Sequence, residues 1–249
     1  MTRHYLLGID TGGTYTDAVL YCETDGILAK AKALTTRHDL AVGIAEALDK
    51  VIDASGVPVR EIGLVSLSTT LATNALVEGQ GGRAGLIMIG FGPDDLERDG
   101  LSEALGQDPV LYLAGGHDVH GTETPLDLAP LAAALPELAQ NVSSFAVAGY
   151  FAVRNPSHET RVRDFIRSHC SLPVTCSHEL SSKLGGPRRA LTTLLNARLV
   201  SMIDRLIGAC EGFLNKRGIE APLMVVRGDG ALIAAAEARL RPIETILSG

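Results

Sequence analysis

Tyr5 to Ile9, Asp17 to Cys22 and Ile27 to Leu34 are short, mainly apolar runs, with Asp10-Thr11-Gly12-Gly13-Thr14 and Asp25-Gly26 between them. Short runs separated by glycine turns predict three consecutive strands forming a meander. The period then changes. Leu40, Ile44, Ala47, Leu48, Val51 and Ile52 follow helical spacing, with Asp39 placed to cap the start and Gly56 to stop the end. Strands are predicted at 63–67, 84–89, 144–150, 174–177 and 223–226, and helices at 39–55, 69–78, 126–139 and 157–169. One long helix is expected over 186–216, opened by Pro187 in its first turn, and an alanine-rich helix follows Gly230. Residues 90–125 show no clear period beyond a loop and a short helix. A meander followed by alternating elements predicts a mixed α/β layered fold.

Composition sharpens this picture. The 249 residues are 46% hydrophobic and contain no Trp, so the core must be built from aliphatic side chains. That mix suits parallel strands covered by helices. The formal charge is −7 with no basic run, which argues against nucleic acid as a partner. No stretch reaches the length and apolarity of a membrane span, and the start lacks the apolar region of a signal peptide. The expected setting is the cytoplasm, with Cys22, Cys170, Cys176 and Cys210 as free thiols.

The sharpest chemistry lies in Gly8-Ile9-Asp10-Thr11-Gly12-Gly13-Thr14-Tyr15-Thr16-Asp17. An apolar strand ends at a carboxylate, then two glycines sit between hydroxyl residues. Such a hairpin can bring backbone N–H groups to a phosphate, and Thr11 and Thr14 can add hydroxyl donors. Asp10 would repel a phosphate directly but can hold Mg²⁺ beside it. The loop lacks the Gly-Lys-Ser/Thr of a P-loop and opens no helix, so it is not a dinucleotide fingerprint. It resembles the first phosphate loop of the actin, sugar kinase and heat-shock chaperone superfamily. Arg227-Gly228-Asp229-Gly230, after the apolar run ending at Val226, repeats the logic of strand, carboxylate and glycine. By that resemblance it is a second phosphate hairpin from the other lobe, with Gly228 and Gly230 supplying backbone approach and Asp229 a second catalytic, metal-facing carboxylate.

Ser68-Thr69-Thr70-Leu71-Ala72-Thr73-Asn74-Ala75-Leu76 narrows the resemblance. It is similar to the Gly-Thr-Thr-x-Ala-Thr-Asn-Ala-Leu segment of the hydantoinase/oxoprolinase family, with Ser68 in place of Gly. Asn155-Pro156-Ser157-His158-Glu159, Ser177-His178-Glu179, Thr192-Thr193-Leu194-Leu195-Asn196-Ala197 and Arg241 to Gly249 continue it along the whole chain. The resemblance implies an actin-like (ribonuclease H-like) ATPase fold with mixed sheets flanked by helices. It implies a first lobe over 1–180 with an irregular insert at about 90–125. The long helix and the start of a second lobe would occupy 181–249. Family members continue past Leu-Ser-Gly, so this chain is expected to be the N-terminal part, with an incomplete nucleotide site. The resemblance also implies Mg²⁺ and ATP as cofactors, with Asp10 and Asp229 as catalytic and metal-holding carboxylates. Thr11, Gly12, Gly13, Thr14, Asp17, Thr70, Thr73, Asn74, Gly228 and Gly230 would line the nucleotide. The substrate would be a small cyclic amide of the hydantoin or 5-oxoproline type, phosphorylated on the amide oxygen before ring opening. A partner subunit of the hydantoinase B type and homo-oligomers are expected too. A ketone carboxylase subunit, a small-molecule kinase of the same fold and a non-catalytic nucleotide-binding assembly subunit are the alternatives.

The threonines at 69, 70 and 73 also suit plain helix capping. His158 and His178 fit structural roles as well as catalytic ones. His169, Cys170, Cys176 and His178 lack the tight ligand pairs of zinc sites, and His117-Asp118-x-His120 suits a solvent loop better than a metal site.

Overall fold

The computed structural model describes residues 5–36, 39–77 and 81–246. Expectations for Glu78, Gly79 and 247–249 lie outside them. The fold is mixed α/β. Contacts divide the chain into two compact units, one of residues 1–80 with 202–249 and the other of residues 81–201.

The first unit opens with the predicted meander, β1 (Tyr5–Thr11), β2 (Tyr15–Cys22) and β3 (Gly26–Leu34). Helix α1 (Leu40–Ser55) follows, and the Asp39 carboxylate accepts the Ala41 N–H at 3.0 Å while Gly56 ends the helix at φ 66°. Strand β4 (Ile62–Thr69) then runs parallel to β1, and α2 spans Leu71–Val77. Leu7, Ile9, Leu20, Ile44, Leu48 and Val51 are buried, while the alternate positions Asp10, Lys30 and Lys32 are exposed. One face of the sheet is therefore apolar, and the other is polar.

Strand β9 (Leu223–Val226) lies parallel to β4, and β10 (Leu232–Ala234) returns antiparallel to it. The sheet is six-stranded, in the order β10-β9-β4-β1-β2-β3. This corrects the expectation that the Arg227–Gly230 turn comes from a second lobe, because it extends the sheet that carries Asp10. The apolar run Leu223-Met224-Val225-Val226 pairs with the otherwise open edge of β4, with Val225 buried opposite Leu67.

The second unit is wound around a parallel sheet in the order β6-β5-β7-β8. Its strands are β5 (Ala84–Ile89), β6 (Val110–Leu113), β7 (Ser144–Gly149) and β8 (Val174–Cys176). All residues of β5 and β7 are buried, as a sheet covered on both faces requires. Helices α4 (Ala129–Asn141) and α5 (Ser157–His169) pack Leu131, Leu135, Val162 and Ile166 on one face, around Phe145 and Val147. On the other face, α3 (Leu101–Leu105) and the start of α7 (Gly186–Arg217) pack Leu101, Leu105, Ala190 and Leu194 around Leu86 and Met88. A short helix, α6 (Ser177–Leu180), precedes α7, and α8 (Ala235–Leu240) follows β10. The segment expected to be irregular contains a 3-10 turn at Pro93–Glu97, α3 and β6. Each is too short to reveal a period.

Candidate functional site

Three parallel strands of the first unit, β1, β4 and β9, end side by side. Asp10 is the register partner of Ser68, and Leu67 that of Val225. The Thr11–Thr14 loop, the Thr69–Asn74 segment and the Arg227–Gly230 turn therefore leave the sheet at one end. Ligands in α/β sheets gather at the carboxyl ends of parallel strands.

Backbone pairing sets a polar row across this end. Ser68, Asp10, Asp17 and Lys32 are successive register partners on β4, β1, β2 and β3. Below it, Ser66, Gly8, Val19 and Lys30 form a second row. Both rows line an open cavity of ≈ 690 Å³. A Cβ at Gly8 would come 2.9 Å from Val19 Cγ1, so Gly8 keeps the floor low. Asp10 and Asp17 stand directly opposite each other, an unfavourable placement for like charges unless a cation relieves it. Lys32 Nζ lies 3.3 Å from the Asp17 carboxylate and 4.9 Å from the centre of the Tyr15 ring. The sequence reading missed both lysines, although their alternation along β3 was a legible signal.

The loop itself is partly occupied by its own bonding. The Gly12 N–H donates to the Tyr15 carbonyl at 2.9 Å, and the Thr14 carbonyl accepts the Thr35 N–H. Gly12 also sits close to Thr70, whose Oγ1 would be 3.7 Å from a Cβ there. Thr11 was expected to offer its hydroxyl to a phosphate. It is fully buried on the apolar side, away from Asp10, and its Oγ1 has no hydrogen-bond partner. Thr69 is a capping residue: its hydroxyl accepts the Leu71 N–H at 3.0 Å and donates to the Thr11 carbonyl at 2.7 Å, tying the loop to α2. Thr70 is exposed at the start of α2, with Thr73 and Asn74 half-buried one turn on.

At Arg227–Gly230 the amides are used internally. Gly230 N–H donates to the Arg227 carbonyl and Gly228 N–H to that of Glu244. Asp229 is ion-paired with Arg227 and accepts the Ala231 N–H at 3.1 Å. The Arg227 guanidinium holds its carboxyl down at about 2. Asp229 thus reaches the same end of the sheet as Asp10 with its charge already compensated.

In the second unit the family-like segments meet. Glu159 is fully buried and accepts four hydrogen bonds, from Gly149 N–H at 2.6 Å, Ser177 Oγ at 2.5 Å, and His178 N–H and Nδ1 at 3.0 and 2.5 Å. Buried Arg189 donates to the carbonyls of Gly149, Lys183 and Leu184 and to Ser177 Oγ. Burial lowers the Arg189 pKa, and the Glu159 carboxylate opposes that.

Among the described residues, two groups of side chains bring their potential ligand atoms within 4.8 Å of one another: His117, Glu123 and His158, and Glu159, Cys176 and His178. Their bonding gives them other work. His158 Nδ1 accepts the Gly116 N–H at 3.0 Å, so Nε2 carries the proton and donates to Glu123 at 3.1 Å. A metal at Nε2 would need the opposite tautomer. Burial pushes the Cys176 thiol up, away from the thiolate a metal takes. His120 and His169 belong to neither group.

Residues 6–170 match the hydantoinase/oxoprolinase N-terminal region, and residues 189–249 match the hydantoinase/oxoprolinase model. The chain belongs to the hydantoinase/oxoprolinase family. It is 32% identical to caprolactamase subunit alpha of Pseudomonas jessenii, over 99% of this chain and 38% of that one. It is 30% identical to the acetophenone carboxylase gamma subunit of Aromatoleum aromaticum, over 90% of this chain and 35% of that one. The chain thus spans well under half the length of these curated relatives. Among solved structures, the ATP-dependent caprolactamase of P. jessenii superposes with a TM-score of 0.80 at 29% identity, over 98% of this chain and 38% of that one. Nucleotide-free acetone carboxylase shares the fold, with a TM-score of 0.73 at 21% identity, over 97% of this chain and 39% of that one. No helix among the described residues is long and apolar enough to cross a membrane.

Proposed function

We propose that this chain is the phosphate-binding part of an ATP-dependent enzyme acting on a cyclic amide, and that the nucleotide's phosphates lie at the carboxyl ends of β1, β4 and β9. The observation that carries the reading is the row Ser68–Asp10–Asp17–Lys32, with its carboxylates, hydroxyl and cation around one open cavity. The family and the caprolactamase likeness support the substrate class. The first unit is the actin-like lobe in this reading, with residues 81–201 inserted between α2 and β9.

The donors suit a hard divalent cation: Asp10 is exposed, and Asp17 and Ser68 stand beside it with oxygen atoms. Asp10 would hold Mg²⁺, with Asp17 and Ser68 as oxygen neighbours, and Asp229 is the second carboxylate at this end. Bound there, the ion would offset the charge of the phosphates. Thr14, Thr70, Thr73 and Asn74 would orient the phosphates beside Gly12 and Gly13. Lys30 and Lys32 add positive charge on the same face. Catalysis would rest on positioning and charge, with the γ-phosphoryl passing to the amide oxygen and making the carbonyl carbon open to water. The family likeness supports a partner subunit.

The experiment is calorimetric titration of Mg²⁺-ATP into the chain and into its Asp10→Ala variant. Saturable binding that falls at least about tenfold in the variant is expected for a lost metal contact. No binding by the folded chain, or equal binding by the variant, overturns the reading.

A further inference from the structure

The buried network around Glu159 lies wholly in the second unit. Buried ionised groups are costly to desolvate, and a network of this kind is weak as a source of stability. What it touches shows what it fixes. Glu159 holds the amide of Gly149, the last residue of β7, and Arg189 holds the carbonyls of Gly149, Lys183 and Leu184. Tyr150–Phe151 and Leu184–Gly186 follow those anchor points, and both segments wall an open cavity of ≈ 550 Å³.

Topology singles out the same place. The connection leaving β5 passes to the face covered by α3, whereas the one leaving the adjacent β7 passes to α5 on the opposite face. Such a divergence opens a crevice at the carboxyl ends of the two strands, where ligands of α/β sheets bind. Among the described residues, the non-glycine residues with left-handed backbone are Asp99 (φ 57°) and Phe151 (φ 52°). Both line this cavity. For a Phe this conformation is strained, and strain that persists is concentrated at functional sites.

We propose that this crevice binds a small ring-shaped amide or ureide. Tyr150, 44% exposed, and Phe151 meet edge to face with ring centres 4.9 Å apart, giving an apolar wall for a flat or puckered ring. Arg98 supplies N–H donors for a ring carbonyl, and the Asp99 carboxylate accepts from a ring N–H. A cyclic amide presents that acceptor and that donor side by side, the oxygen and the N–H nitrogen being bonded to one carbon. A phosphate or carboxylate would meet the like charge of Asp99, while Asp95 accepts the Gly92 N–H at 3.0 Å and pairs with Arg98 at 3.6 Å, which leaves other N–H groups of Arg98 for a neutral carbonyl. The volume falls within the range of about 300–1,000 Å³ usual for small-molecule sites. The place of the site stands on geometry alone, while its ligand class rests partly on the function proposed above.

The test is titration of the isotope-labelled chain with hydantoin and with ε-caprolactam, followed by NMR, with Mg²⁺-ATP binding measured on the same samples. Saturable shifts at residues 95–99, 150–151 and 184–187 are expected. Arg98→Ala and Tyr150→Ala should each weaken the binding about tenfold, the loss of one charge-assisted hydrogen bond or one ring contact. Both side chains are well exposed, so the variants should fold and bind Mg²⁺-ATP as the parent does. The inference is overturned if neither ring binds the folded chain, if the shifts map to the first unit, or if both variants bind as the parent does. Ring binding without Mg²⁺-ATP binding would overturn the nucleotide reading and leave this crevice standing.

Discussion

The two sheets answer the same problem differently. In the first unit one face of the sheet is apolar and the other carries Asp10, Asp17, Lys30 and Lys32, so the strands alternate. In the second unit helices cover both faces, and β5 and β7 are apolar throughout. The first sheet displays its chemistry on its surface. The second keeps its polar chemistry at the strand ends, where Glu159 and Arg189 hold the loops from below. Removing a charged side chain from the polar face of the first sheet should therefore cost function but little stability, whereas breaking the buried network of the second unit should cost stability first.

Four outcomes would break or sharpen that contrast. The largest effect is expected from Glu159→Ala, which leaves Arg189 buried without its counter-charge and strands the Gly149 and His178 amides. A loss of about 3–5 kcal/mol is expected, read by urea denaturation. A loss below about 1 kcal/mol, within the range of an ordinary single hydrogen bond, would mean the network is dispensable. Gly8→Ala comes next: its new methyl meets Val19 and should cost about 1–3 kcal/mol while shallowing the cavity over Asp10. Unchanged thermal stability would show that the floor can yield.

His117 is nearly buried, and its pKa is lowered by burial first and by neighbouring His158 second. The folded chain therefore binds this proton less readily than the unfolded chain. Stability tied to it is complete above the usual value of 6.5 and declines as pH falls below it. His117→Gln should flatten the stability–pH curve on that acid side. An identical slope in both proteins would remove His117 from the account. Smallest in stability is Asp10→Ala, exposed and expected within about 0.5 kcal/mol of the parent. Its effect should fall on Mg²⁺-ATP affinity instead, and more heavily than that of Asp229→Asn, whose charge Arg227 already engages. A larger loss in Asp229→Asn would reverse the order of the two carboxylates.

Much of this was legible in the chain. Short apolar runs with glycine turns between them gave the meander, helical spacing gave α1, α5 and α7, and Gly-Gly after Asp10 marked the loop. The position of β9 was not legible, because four apolar residues pair with any open edge and do not name their neighbour. The engagement of Asp229 escaped notice, although Arg227 stands two residues away. For Glu159 a signal was present. It lies three residues before Val162 and seven before Ile166, on the apolar side of α5, where a carboxylate must find partners. Thr11 shows the converse. Its residue type suggested a phosphate contact, but the alternation of β1 turned it inward beside Ile9.

The pairing of β4 with β9 also has a history in time. A chain made from its N-terminus lays down β1 to β4 and then the whole of residues 81–201 before Leu223–Val226 exists. The continuous segment can condense on contacts near in sequence, which form fast. The interrupted sheet must wait with the edge of β4 unpaired, and closing so long a loop carries an entropic cost that a folded insert reduces. During synthesis that bare edge is the place where a chaperone, or a second nascent chain, would find backbone groups to pair with.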